Sequence, residues 1–224
     1  MGKRLTNLRK DIDANKVYSV EEAVALAKKT ATTKFVGNLE VHVKLGIDPK
    51  KTDQVVRGTV TFPHGTGSTK RIAAFVTEGK EKEAKEAGAV VVGGEELIKK
   101  IKETEVIEFD IAIAEPAMMA KLAQIAKILG PKGLMPNPKT GTVSADITKT
   151  VKEYVAGKTE FKNDDSGNVH VNIGKSNFEE AKLLDNLKAF LDALKTSKPA
   201  GVKGEFIMNI TVHATMGPGI KVKI

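Results

Sequence analysis

The side chains able to carry covalent or metal chemistry are few in this sequence. It has no cysteine, which excludes thiol nucleophiles, thiolate zinc sites and disulfides together. The four histidines stand at 42, 64, 170 and 213 and show no local ligand spacing such as H-x-x-x-H, so no metal is expected. A Ser-His-Asp triad would need scattered residues and has no nucleophile-elbow motif behind it. Residues 130–141, G-P-K-G-L-M-P-N-P-K-T-G, invite a phosphate-cradle reading. A P-loop, however, needs G-x-x-x-x-G-K-[ST] leading into a helix, whereas Lys139-Thr140 follows Pro138 and precedes Gly141. Residues 65–70, G-T-G-S-T-K, precede a strand and read as a hinge, and G-x-G-x-x-G is absent from the chain. Binding chemistry remains. Thr215, Met216 and Gly217 set a hydroxyl, a thioether and bare backbone at a turn that Pro218 and Gly219 enforce, with Lys221 and Lys223 beyond it. Such a turn is either plain, with Met216 as core filler, or a contact surface for a polyanion, where small groups allow close approach and lysines supply charge.

Several elements must position that turn. Residues 206–212 alternate as a strand, with Phe206, Met208, Ile210 and Val212 on one face and Thr211 and His213 on the other. Residues 39–47 alternate Leu39, Val41, Val43 and Leu45 against Glu40, His42 and Lys44, and residues 55–62 form a second run of β character. Ser19 with Glu22 is a capping box opening a short amphipathic helix on Val20, Ala23, Val24 and Ala27. Ser176 with Glu179 reads as another, ahead of a stripe of Phe178, Leu183, Leu184, Leu187, Phe190, Leu191 and Leu194. N-D-D-S-G at 163–167 is hairpin chemistry, and residues 1–16 read as a charged, weakly periodic basic arm.

The middle of the chain differs in kind. Residues 71–76, 89–92 and 110–114 are short apolar runs of the sort buried on both faces of a sheet, and helical stretches alternate with them. Gly88, Gly130 and Gly157 close helices there, and Pro116 opens one. The expected fold is therefore an α+β domain, residues 1–66 plus 159–224, interrupted by a three-layer α/β, Rossmann-like domain at 67–158. Pro63, His64, Gly65, Gly67, Gly157 and Lys158 mark a double-crossing hinge.

Charge favours the discontinuous part. The whole chain carries +8 with a pI near 9.4, which suits a polyanionic partner. Residues 1–66 hold 12 Lys and Arg against 7 acids and residues 159–224 hold 9 against 8, a net +6, while 15 against 13 leave the insert at +2. No window approaches a membrane span, and the N-terminal residues lack the apolar segment of a secretory signal, so neither membrane association nor export is expected.

Five stretches resemble a known family. They are Lys34-Phe35-Val36; Leu45-Gly46-Ile47-Asp48 with Asp53-Gln54-Val55-Val56-Arg57-Gly58; Pro63-His64-Gly65-Thr66-Gly67; Leu129 through Lys139; and Thr215-Met216-Gly217-Pro218. In this order, over almost the whole chain, they are similar to the universal L-one family of large-subunit ribosomal proteins, the protein of the mobile stalk, in its bacterial form. The resemblance implies an RNA-binding scaffold without catalysis and without a cofactor. Its partners would be the stalk of the large-subunit rRNA, the leader of its own operon messenger, which it represses, and exit-site tRNA, whose deacylated form it helps to release. A cytoplasmic, ribosome-associated protein, monomeric when free, is implied.

Carried over by position, the RNA-binding residues are Lys34, Phe35, Glu40, Lys162, His170, Thr215, Met216 and Gly217, with Lys132, Gly133 and Lys139 marking the insert loop. A lone Phe is ordinarily core; the resemblance makes Phe35 partly exposed. Three places depart from the family's usual pattern: Gly37 stands where an acid is common, His213-Ala214 where two hydroxyl residues are common, and Asp165 where a lysine is common. The alternative of another class is a nucleotide-binding enzyme built on the α/β insert, supported by fold-level analogy alone. A protein-docking module is a weaker third.

Overall fold

The structure, a computed structural model, describes residues 3–13, 16–77 and 79–223; Met1, Gly2, Ala14, Asn15, Glu78 and Ile224 lie outside the described residues. In chain order the elements begin α1 (Lys3–Leu8), α2 (Val20–Lys29), β1 (Asn38–Leu45), β2 (Arg57–Thr61), β3 (Ile72–Phe75), α3 (Glu81–Glu86), β4 (Val91–Gly93), α4 (Glu95–Thr104) and β5 (Ile111–Ala114). They continue α5 (Met119–Leu122), α6 (Ala126–Leu129), α7 (Ile147–Val155), β6 (Lys158–Lys162), β7 (Asn168–Lys175), α8 (Glu180–Thr196), β8 (Ile207–Ala214) and β9 (Ile220–Val222). The protein is mixed α and β, and it divides into two compact units, Met1–Ser68 with Thr159–Ile224, and Thr69–Lys158.

The discontinuous unit is built on an antiparallel sheet of order β7-β1-β8-β9. Period-two alternation sends Leu39, Val41, Val43 and Leu45 of β1 to one face, where they join Val169, Val171 and Ile173 of β7 and Ile210, Val212 and Ala214 of β8 in a single core. Helices α2 and α8 cover that face. Leu183, Leu187, Phe190 and Leu194 recur on one stripe of α8 and are all fully buried, each contributing roughly 1.5–3 kcal/mol relative to exposure. The Ser19 box forms as its spacing requires: the hydroxyl accepts from the Glu22 N–H and the Glu22 carboxylate accepts from the Ser19 N–H, both at 3.2 Å.

Three expectations need correction here. Helix α8 begins at Glu180, with Glu179 as a cap that makes no side-chain hydrogen bond, so the Ser176 box does not form. Residues 176–178 instead turn, the Phe178 N–H donating to the Lys175 carbonyl at 3.0 Å, and the Phe178 ring leaves the helix stripe to lie against Gly67 and Gly174. Met208 does not face the core. Lys44 pairs with Asn209 and Leu45 with Ile207, so Met208 is bulged out of register and exposed while Phe206 and Ile207 are both buried. Within the expected arm, residues 3–8 are helical and 9–11 form a 3-10 turn, because Ile12 and Tyr18 are drawn into the core on either side of its end.

The residues of the first expected hinge strand are tied to α8. Asn186, fully buried, accepts from the His64 N–H at 3.3 Å and donates to the carbonyls of Gly65 and Ile173, both at 2.8 Å. The His64 ring meets Asp185 at 3.1 Å, and Thr66 is buried. In the second unit, Gly157 takes φ +115, which favours glycine, and Lys158 bonds Glu153 at 2.9 Å.

That unit is a parallel sheet of order β4-β3-β5, with Ala73 opposite Val91 and Ile72 opposite Ile111. Apolar clusters lie on both faces: Ile98, Ile101, Leu122, Ile125 and Leu129 on one, Ala84, Ala87, Val151 and Tyr154 on the other. The proline-rich loop after α6 is seated rather than free. Leu134 and Met135 pack on the first cluster, and the Tyr154 hydroxyl donates to the Thr140 carbonyl at 3.0 Å. Lys132, Gly133 and Lys139 stay exposed.

Candidate nucleic-acid interface

The end of β8 and the start of β1 lie side by side, and together they fix the turn after Ala214. Thr215 donates its N–H to the Asn38 carbonyl at 2.8 Å, and its hydroxyl accepts from the Asn38 N–H at 3.0 Å while facing Glu40 Oε1 at 3.1 Å. The Gly217 N–H closes the turn on the Ala214 carbonyl at 2.7 Å. Met216 is thereby held at φ +64, a left-handed conformation that costs an L side chain roughly 1–2 kcal/mol. The side chain so placed is not core: Met216 is 67% exposed. Arg4 of α1 reaches across to donate to the Met216 carbonyl at 2.5 Å and to the Thr32 hydroxyl at 3.1 Å.

On the other side of the turn, Phe35 is 58% exposed and Val36 is exposed beside it, with Lys34 also in solvent. Gly37 allows the close approach. A Cβ there would stand 3.1 Å from the Thr215 Cβ and 3.9 Å from the Phe35 ring, so an acid at this position would have to displace the turn. Phe35, Gly37, Glu40, Thr215, Met216 and Gly217 therefore belong to one patch on the rim of the sheet.

Met208 apart, the strand residues that face away from the core are polar. In register across β7, β1 and β8 run His170, His42 and Thr211, and one step along run Asn172, Glu40 and His213. His42 Nδ1 lies 2.5 Å from His170 Nδ1, and its Nε2 lies 2.6 Å from His213 Nε2. Burial, then the imidazoles of His213 and His170, push His42 below its ordinary pKa against the opposing pull of Glu40. At the hairpin between β6 and β7, Asp164 accepts from the N–H groups of Asn168 and Ser166, and the Asn168 N–H above all holds its carboxyl far below the usual range. Asp165 is left exposed at the tip.

Not every expected residue joins this surface. Lys162 is exposed, but on β6, which pairs with β2 in a separate two-stranded sheet. His170 belongs to the open face, linked to the patch through His42. Arg4 and His42 are functional candidates that sequence spacing misses. Nothing in a basic N-terminal run points to a carbonyl more than 200 residues away. The histidines meet only through strand register: Glu40, His42 and His213 offer ligand atoms within 4.8 Å of one another, an arrangement that the lack of H-x-x-x-H spacing argued against and that linear distance cannot reveal.

The inserted unit offers a cleft of about 1030 Å³ at the ends of β3 and β4, lined by Thr77, Gly93, Gly94, Glu95, Glu96 and Lys121. A phosphate would sit at the start of α4, where the positive end of the helix dipole points. Glu95 and Glu96 already occupy that first turn, and Glu95 takes the Lys121 ammonium at 2.5 Å. Glu81 adds a third acid, and Lys99, Lys100 and Lys121 balance the three, so the cleft has no net positive charge to draw a nucleotide.

The patch joins a fixed backbone turn to exposed apolar side chains. The family model described as the Ribosomal protein L1p/L10e family matches residues 27–218, and the chain belongs to this family. Among similar proteins, the large ribosomal subunit protein uL1 of Mesoplasma florum is 50% identical over 224 residues, covering 100% of this chain and 98% of that protein. The uL1 of Mycoplasma capricolum is 52% identical over 223 residues, with 100% and 98% covered, and that of Thermosipho africanus is 48% identical over 220 residues, with 98% and 95% covered. Membership makes the chain a ribosomal protein rather than an enzyme, with its place on the ribosome in the cytoplasm. Among the described residues, no helix is long and apolar enough to cross a membrane.

Proposed function

We propose that this protein is a structural RNA-binding component of the large-subunit stalk, and that the rim patch around Met216 and Phe35 is where it grips folded large-subunit rRNA. The observation that carries this reading is Met216 itself: an exposed apolar side chain on a strained backbone that Thr215, Gly217 and Arg4 all hold in place. Folded RNA is recognised by shape, through backbone and ribose hydroxyls, and a few apolar side chains exclude water at the centre of such a contact. Lys34 supplies charge at the margin, and Glu40 and His170 supply hydrogen-bonding groups on the adjoining face. Lys162 contributes long-range charge only.

The same surface serves a similarly folded leader in the operon messenger, which makes the free protein a monomeric repressor. On the ribosome, the stalk that carries it assists release of deacylated exit-site tRNA. The two crossings at Ser68/Thr69 and Lys158/Thr159 act as the hinge; His64 and Gly65, bound to Asn186, move with α8, so bending falls from Gly67 onward and at Gly157-Lys158. A hydroxyl-radical footprint of the protein on total ribosomal RNA tests the reading. Protection of one junction in large-subunit rRNA is expected, and diffuse protection proportional to RNA length would overturn it.

A further inference from the structure

Proton positions on the open sheet face follow from its two ends. Asp164 is an ionised acceptor, so His170 turns its Nε2–H toward Asp164 Oδ2, 3.4 Å away. In the tautomer with its one proton on Nε2, His170 Nδ1 accepts from the Nδ1–H of His42 at 2.5 Å. Neutral His42 is left with a bare Nε2. From the other end, the Ala214 carbonyl takes the Nδ1–H of His213 at 3.0 Å, which leaves His213 Nε2 bare as well. The two lone pairs face each other at 2.6 Å. Beside them stands the Glu40 carboxylate, its Oε1 engaged by the Thr215 hydroxyl at 3.1 Å and its Oε2 turned to His213 Nε2 at 4.0 Å. Two imidazole nitrogens and a carboxylate thus converge on one point, all three within 4.8 Å of one another.

We propose that Glu40, His42 and His213 bind one divalent transition-metal ion of the zinc class, with a fourth coordination position open to solvent. Imidazole nitrogens with one carboxylate suit zinc rather than magnesium or calcium, and three protein ligands with one open position make an accessible site. Tetrahedral bonds of about 2.0–2.1 Å need nitrogens about 3.3 Å apart, so the imidazole pair opens by about 0.7 Å on binding. The hydrogen bonds already described orient all three ligands from behind: His170 and Asp164 hold His42, Ala214 holds His213, and Thr215 holds Glu40. The bound ion turns the acidic spot at Glu40 into a positive one.

The test uses the full chain, stripped with chelator and freed of RNA. Zn²⁺ is titrated calorimetrically, and Co²⁺ is followed by visible absorption. One ion per chain with tetrahedral cobalt bands is expected. His42→Ala and His213→Ala should each weaken uptake at least a hundredfold, and His170→Ala about 10- to 100-fold through loss of the outer contact. Glu40→Gln, which keeps the side chain's shape, covers the case of a histidine variant that does not fold. His64→Ala should change nothing. No uptake by the parent chain, or equal uptake by the parent, His213→Ala and Glu40→Gln, would overturn the assignment. No RNA is present, so failure here leaves the RNA reading standing, and failure of the RNA reading leaves the metal site standing.

Discussion

Replacing Met216 by alanine and, separately, by glycine tells the work of the side chain from that of the backbone. Full burial of a methionine side chain stabilises by roughly 1.5–3 kcal/mol. With 67% of Met216 exposed in the free protein, about two-thirds of that, or 1–2 kcal/mol, is available to an RNA that covers it. Both variants should therefore bind large-subunit stalk RNA about 5- to 30-fold more weakly, at about 1.4 kcal/mol per factor of ten. Stability separates them. Alanine keeps the left-handed penalty of roughly 1–2 kcal/mol, while glycine escapes it and gives back about 0.5–1 kcal/mol in unfolded-chain entropy. The glycine variant should be the more stable of the two by about 1 kcal/mol. Fluorescence anisotropy at one fixed salt concentration and urea unfolding supply the two readouts. Affinities for both variants within twofold of the parent, or affinities that track stability, would refute the patch.

Three further outcomes follow from contacts already described. Asn186→Ala strands the His64 N–H and the carbonyls of Gly65 and Ile173, and a loss of about 2–4 kcal/mol is expected in urea unfolding; less than 1 kcal/mol would show the network to be replaceable. Glu115, bonded by the Lys80 ammonium and by the hydroxyl and N–H of Thr77, has its pKa lowered to about 2 from the ordinary 4.5. A depressed carboxylate stabilises the fold above its unfolded pKa and loses that contribution as pH falls through the folded one, so Glu115→Gln should lower the melting temperature at neutral pH and match the parent near pH 2. Lys34→Gln should lower the slope of log affinity for RNA against log salt by about one, with no change in melting temperature; an unaltered slope places Lys34 off the phosphate path.

Local rules were enough to read the faces of β1 and the start of α2, because period-two burial and the Ser19-Glu22 box each depend on neighbours a few residues away. The same rules failed at Met208 and Ser176 for a common reason. Met208 is turned outward by a bulge that exists only against Lys44 and Leu45, and the Ser176 box is pre-empted by the seat that Gly67 and Gly174 offer Phe178. Phe35 shows the limit of residue-type reasoning: it is exposed beside the turn, whereas composition favours the core. The cluster of His42, His170 and His213 was illegible, since it requires the register of three strands at once.

Strand β8 lies between β1 and β9, although it is made more than 160 residues after β1. Until β8 is made, the chain has no Thr215 to pin Asn38 and no Met216 carbonyl for Arg4 to reach. The turn that presents Met216 therefore forms only once β8 has been made. A chain that stops before β8 lacks both partners, and the proposed patch is absent from it by topology alone.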